Sequence, residues 1–321
     1  MRKIVAAGFL LVAAVLGNSS VSATGIAPAV EHAPGRLLPV NGTRLWVEEE
    51  GAGPPLVVLV GGPGASHASM HPAFSALSDK FRIIYYDYRG RGRSDPSSEV
   101  AFNLDVADLD ALRVSLGHER IAIYGFSYGG LIAQDYALAH PERVSHLILA
   151  NTLYSGQMWS LNHQNINREL QNQYPEIWSQ IEALRERGVH SSADEMQKLF
   201  SVHSPLIRWY NPDHASRLRR EAGSFNKELY SRFVGDDIDF ENGGEVAKLP
   251  DFRPRLQELR MPVLILAGRY DRALYPKLQL AFRDYCPQAR FVMLEHSGSY
   301  GHVEEPNVVV PLLREFLTAR D

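Results

Sequence analysis

The chain has 321 residues, 45% of them hydrophobic and 22% charged, with 33 Lys and Arg against 37 Asp and Glu. That is ordinary globular composition with ample core-forming material, and the near-even charge without a basic run argues against a nucleic-acid partner. Cys286 is the only cysteine, so no intramolecular disulfide can form, and it reads as a structural thiol. No Cys/His cluster or H-E-x-x-H spacing is present, so no metal site is expected.

Arg2 and Lys3 precede an apolar run over 4–16, which is followed by Val21-Ser22-Ala23. A charged start, an apolar stretch too short to span a bilayer and small residues before a cleavage point form the pattern of a secretory signal peptide. Residues 1–23 are therefore expected to be removed after Ala23. No cysteine sits there to take a lipid, so the mature protein is expected to be exported, periplasmic or extracellular, with no stable membrane anchor.

Residues 24–36, with Gly25, Pro28, Pro34 and Gly35, read as a tether. Runs 37–40 and 43–49 around the turn dipeptide Asn41-Gly42 predict an antiparallel strand pair. Continuous apolar runs at 56–60, 81–86, 121–124, 144–150, 263–267 and 289–294 predict strands buried on both faces. Helical patterns at 104–116 and 129–140 alternate with them. This alternation implies βαβ units and a doubly wound, mostly parallel sheet of α/β class. It breaks over 153–254, where amphipathic segments such as 176–187 and 194–200 predict a helical lid. The core is then 37–152 together with 255–321.

The strongest motif is Gly125-Phe126-Ser127-Tyr128-Gly129, between a predicted strand and a predicted helix. G-x-S-x-G in that context is a nucleophile elbow. The serine sits on a strained turn, the glycines let strand and helix approach closely, and the Tyr128 N–H points toward the substrate oxygen. Serine needs a base, and the base an orienting acid. On such an elbow the chain order is Ser, acid, His. Asp271, just after the 263–267 strand, is the expected acid. Gly61-Gly62-Pro63-Gly64 follows the 56–60 strand, and Gly62 is the expected second oxyanion donor.

These pieces resemble the α/β-hydrolase superfamily, and within it the proline iminopeptidase-type serine aminopeptidases. The resemblance covers about residues 37–320 and also rests on 86–94 (YDYRGRGRS), 268–271 (GRYD) and 303–306 (VEEP). It implies an α/β-hydrolase fold with a helical lid, a small-molecule or short-peptide substrate, and no cofactor. Related esterases and lactonases share most of the same pieces. Two positions depart from the family: Val60 stands where a histidine usually precedes the glycines, and Ser299 stands where the catalytic histidine is usual. Two histidines flank that vacancy. His302 is the preferred base, reached by a swing of the 298–301 loop; His296 is the alternative base, and no working base is the third possibility. Family lid carboxylates bind a substrate amino terminus, and Asp237, within the acidic stretch 236–245, is the single residue favoured for that role. His67, His71 and the histidines of the lid read as surface or pocket residues.

The expected function is therefore an exported serine hydrolase cleaving a small amide or ester through Ser127, with proline iminopeptidase-type aminopeptidase activity preferred. An esterase or lactonase of the same fold is one alternative. A catalytically silent fold that binds a small ligand in the same pocket is the other, supported by Ser299.

Overall fold

The structure, a computed structural model, describes residues 32–235 and 244–319. Asp237 and the leader 1–23 lie outside the described residues. Eight strands form one sheet in the order β1-β2-β4-β3-β5-β6-β7-β8. They are β1 (Gly35–Val40), β2 (Thr43–Glu50), β3 (Pro55–Leu59), β4 (Arg82–Tyr86), β5 (Ile121–Phe126), β6 (Val144–Ala150), β7 (Val263–Gly268) and β8 (Arg290–Leu294). β2 runs antiparallel to β1 and β4, and the other pairings are parallel. The parallel strands carry Val, Ile and Leu on both faces because helices cover both; β5 and β7 are buried along their whole length.

The first helices are α1 (Phe102–Ser115) and α2 (Tyr128–Ala139). Between β6 and β7 the chain builds α3 (Gly156–Gln173), α4 (Pro175–Glu186), α5 (Asp194–Arg208) and α6 (Lys227–Val234). The short α7 (Pro276–Leu280), α8 (Phe282–Tyr285) and α9 (Gly301–Glu304) precede α10 (Pro306–Thr318). Leu170 of α3, Ile177, Ile181 and Leu184 of α4, and Met196 and Ile207 of α5 form a small core of their own together with Ala273 from the loop after β7. These helices are half-polar because they bury one stripe against each other and leave the opposite face to solvent.

The strand order fixes where a ligand can sit. From β3 the chain moves outward to β4 and then crosses back to β5 on the other side, so the connections leaving β3 and β5 diverge. In open α/β sheets the crevice outside the carboxyl ends of the strands at such a switch point is the binding site. Gly62 follows β3 and Ser127 follows β5, so the topology places both at that crevice.

Candidate active site

Ser127 has φ 50° and ψ −116°, a left-handed backbone that residues other than glycine rarely adopt. The surroundings hold it there. Its N–H donates to the Ala150 carbonyl at 3.1 Å, and its own carbonyl accepts from the Thr152 hydroxyl at 2.6 Å and the Gly130 N–H at 2.9 Å. Glycine is required at 129, where a Cβ would lie 2.6 Å from the Leu59 carbonyl oxygen, because α2 passes directly against β3. Tyr128 opens α2, so its N–H belongs to the helix's unsatisfied first turn.

The loop after β3 is held by buried polar contacts. Gly62 has φ +82°. Arg91 donates to the Pro63 carbonyl at 2.8 Å and pairs with Asp105, and Asp105 accepts from the Tyr128 hydroxyl at 2.7 Å. Gly62 and Tyr128 are thus tied into one framework through a buried guanidinium–carboxylate pair. Val60, at the position where a histidine is usual, is buried, and its carbonyl accepts from the Tyr88 hydroxyl at 3.0 Å. Cys286 is buried, and that burial pushes its thiol up to about 11, so it is inert near neutrality.

Asp271 follows β7 and is buried. Its Oδ1 accepts the N–H groups of Ala273 and Leu274, both at 2.9 Å. Its Oδ2 accepts the Ser299 hydroxyl at 2.8 Å and the Asn151 side-chain amide at 3.2 Å. Among the described residues no histidine reaches this carboxylate. His302 instead sits in an aromatic box, its ring 5.0 Å from Phe126 and 6.0 Å from Phe74, with Nδ1 3.5 Å from the Tyr124 hydroxyl. Burial there pushes it down to about 3, so the imidazole is neutral. His296 is largely exposed, near Glu305 and Tyr210.

The expected swing of the 298–301 loop meets firm fastenings. The Ser299 N–H donates to the Arg208 carbonyl at 2.6 Å, and the Gly298 N–H to Glu304 at 2.7 Å. The Tyr300 ring stacks on Trp209 at 4.4 Å and 13°. Bringing His302 to Asp271 would break all three contacts and draw the ring from its box. The structure therefore leaves His302 and His296 apart from Asp271, and Ser299 occupies the acid's remaining lone pair.

Ser127, Gly62, Ser299 and Tyr300 line a cavity of about 430 Å³ between the sheet and the helices that follow β6. Its far wall holds residues that no linear motif marked: His163 of α3 and His203 and Arg208 of α5. Burial, with the nearby Arg208 charge, pushes His163 down to about 3 and His203 to about 4. Arg208 makes no side-chain hydrogen bond or ion pair among the described residues. No Asp or Glu is among the described residues lining the cavity.

A strained serine at a strand–helix junction, glycines after β3 and an acid after β7 define a hydrolase of α/β type. The chain belongs to the α/β hydrolase fold family, whose model matches residues 54–306. It is 26% identical over 275 residues to the proline iminopeptidase of Heyndrickxia coagulans, covering 85% of this chain and 93% of that one. The crystal structure of a proline iminopeptidase from Mycobacterium smegmatis superposes with a TM-score of 0.71 at 22% identity, covering 88% and 97% of the two chains. A thermophilic esterase from Thermogutta terrifontis superposes with a TM-score of 0.63 at 20% identity, covering 89% and 98%. The chain is thus a member of the α/β hydrolase fold family whose relatives include proline iminopeptidases.

Proposed function

We propose that the protein is an exported serine hydrolase that cleaves a small amide or ester by acyl transfer to Ser127. The observation that carries this reading is the Ser127 backbone at φ 50°, held at the mouth of a cavity beside the first N–H groups of α2. Strain of about 1–3 kcal/mol persists only where the surroundings enforce it, and it clusters at reacting residues. In the proposed reaction the Ser127 oxygen attacks the scissile carbonyl as its proton passes to a base, the amine or alcohol leaves carrying that proton, and water then releases the acyl group from Ser127. The oxygen turned oxyanion is held by the N–H groups of Gly62 and Tyr128, and Asp271 anchors the proton-accepting side of the site. The helices after β6 act as the lid.

Within that class we favour an aminopeptidase releasing an N-terminal residue from a short peptide, because the relatives reported above include proline iminopeptidases. The proton acceptor is where this chain differs from its relatives' usual pattern. Ser299 holds the acid, and His163 and His203, which line the cavity, are held neutral by burial and the Arg208 charge, which weakens both as proton acceptors near neutral pH. An ester or lactone is the alternative substrate. Hydrolysis of prolyl-amide, aminoacyl-amide, ester and lactone probes tests the reading when wild type is compared with Ser127→Ala, His163→Ala, His203→Ala and His302→Ala. Turnover abolished by Ser127→Ala supports it, the histidine variants reporting whether any of them assists; turnover indifferent to Ser127→Ala sinks it.

The Ser299–Asp271 hydrogen bond favours a second reading, a fold that binds a small ligand without turnover. Under that reading no probe is hydrolysed, yet the same probes bind and protect the protein against unfolding.

A further inference from the structure

Away from the cavity, four residues distant in sequence converge. His32 lies before β1, Glu48 is in β2, and His67 and His71 bracket the short 3-10 turn His67–Met70 that follows the Gly62 loop. One donor atom from each lies within 4.8 Å of all the others. His32 Nδ1 is 2.9 Å from Glu48 Oε1, His67 Nε2 is 3.0 Å from Oε1, and His71 Nε2 is 3.3 Å from Oε2. Glu48 and His67 are fully buried and His71 nearly so.

These separations lie within hydrogen-bond range, and His32 makes such a bond to Glu48, but they also suit ligands gathered around one ion. The Nε2 atoms of His67 and His71 are buried and make no properly directed hydrogen bond. Donors held around one ion by bonds of about 2.0–2.1 Å in a tetrahedron stand about 3.3 Å apart. The separations to Glu48 fall just under that edge.

The outer nitrogens are committed elsewhere. His67 Nδ1 is 2.8 Å from Asp87, and His32 Nε2 is 3.0 Å from Glu221, with the Arg93 guanidinium 2.8 Å from both His32 Nε2 and the Glu221 carboxylate. In a neutral His67 the N–H given to Asp87 leaves the Nε2 lone pair facing Glu48, whereas His32 Nε2 meets both the Glu221 carboxylate and the Arg93 N–H, so its tautomer is set by which of the two it engages. A carboxylate behind each metal-binding histidine is the recurrent outer arrangement of such sites, fixing tautomer and ring orientation. Glu48 is itself oriented by the Trp46 indole N–H at 2.6 Å. A lone pair facing the buried Glu48 carboxylate repels it, and either a proton on that nitrogen or a cation between the two relieves the repulsion; the absence of a directed hydrogen bond at the Nε2 atoms of His67 and His71 favours the cation. The charge count agrees: Glu48, Asp87 and Glu221 against Arg93 leave two negative charges, the charge a divalent ion cancels.

We propose that His32, Glu48, His67 and His71 form a four-coordinate site for a divalent transition metal of the zinc class. Three imidazoles and a carboxylate are a donor set that zinc accepts, and His-x-x-x-His is a common spacing for two of its ligands. All four positions are filled by protein, so the site is structural, not catalytic. It pins the segment before β1 onto the turn that continues from the Gly62 loop. The remaining ligands come from separated elements, so no linear motif announces them.

The test uses tag-free full-length chain, stripped with a chelator and titrated with Zn²⁺ and with Co²⁺. Bound metal is read by elemental mass spectrometry, coordination by cobalt visible absorption, and stability by thermal unfolding. The expected result is one metal per chain, a four-coordinate cobalt spectrum and a higher Tm. His32→Ala and His71→Ala should each weaken binding beyond the about 10–100-fold that losing an outer partner costs, while the exposed His296→Ala changes nothing. His32→Ala removes a partly exposed ring from the edge of the fold, and circular dichroism verifies that the variant is folded. No uptake by the wild type, or uptake unchanged in folded His32→Ala and His71→Ala, overturns the proposal.

Discussion

The Ser299 hydroxyl donates to Asp271 Oδ2 at 2.8 Å, filling the position on the acid that an imidazole N–H would otherwise take. Both Ser299 and Ser127 line the same cavity. A hydroxyl is a far weaker proton acceptor than an imidazole near neutral pH. Ser299→His should therefore supply the missing base. Hydrolysis of a small ester is expected to rise by about 10²–10⁴-fold, the usual contribution of a positioned general base. The gain should follow a single ionisation in the neutral range and disappear when Asp271→Asn is added. A folded Ser299→His protein with unchanged rate and pH profile would show that Asp271 does not serve the Ser127 chemistry.

Arg208 lines the cavity together with Arg185, Arg219 and Arg220 and gives it positive charge. Its guanidinium lowers the neighbouring histidines and has no carboxylate partner among the described residues. A short peptide with a free terminal carboxylate can pair with it, whereas the amidated peptide cannot. A charge-assisted hydrogen bond of about 1.5–3 kcal/mol corresponds to about 10–100-fold. The free acid should show the lower KM by that factor, and Arg208→Ala should erase the difference. Equal KM values in the wild type would remove Arg208 from substrate binding.

Thr152 anchors the strained elbow through its 2.6 Å hydrogen bond to the Ser127 carbonyl. Thr152→Val keeps the shape and deletes the donor. Because the carbonyl keeps the Gly130 N–H, destabilisation of about 0.5–1.5 kcal/mol is expected from the lost hydrogen bond, together with slower acylation of Ser127. Denaturant unfolding and a stopped assay check the two parts separately.

Three buried histidines make the fold sensitive to acid. His302 and His163 are pushed down to about 3 and His203 to about 4, by burial first and, for the latter two, by Arg208 as well. Their unfolded values lie near 6.5, so below that pH the unfolded chain binds protons that the folded one refuses. Stability is fully present above about 6.5 and falls as pH drops toward the folded values, by up to about 1.4 kcal/mol per pH unit for each histidine. His302→Phe removes one share, and its loss of stability between pH 7 and pH 5 should be smaller than the wild type's by about 2 kcal/mol. Urea unfolding at the two pH values measures this, and equal losses would mean that His302 is not the group refusing the proton.

The sheet was legible in the sequence because its strands are long apolar runs bounded by Gly and Pro, and the elbow because a strand, G-x-S-x-G and a helix adjoin. The vacancy at Ser299 was also legible. What filled its surroundings was not. The stacking of Tyr300 on Trp209 and the bond from Ser299 to the Arg208 carbonyl join segments about 90 residues apart, and those long-range contacts keep His302 from Asp271. His163, His203 and Arg208 reach the cavity from two helices whose packing no linear pattern specifies. The same holds for His32, Glu48, His67 and His71, whose side chains meet only once β1, β2 and the loop after β3 are assembled. Asp237 lies outside the described residues.

The central claim is that Ser127 is an activated nucleophile, and reaction with a fluorophosphonate, with the modified residue located by mass, tests it most directly. The account predicts a single adduct on Ser127, absent from Ser127→Ala and formed faster in Ser299→His. Folded wild-type protein that takes no label, or takes it at another residue, would contradict it and leave the cavity as a binding site.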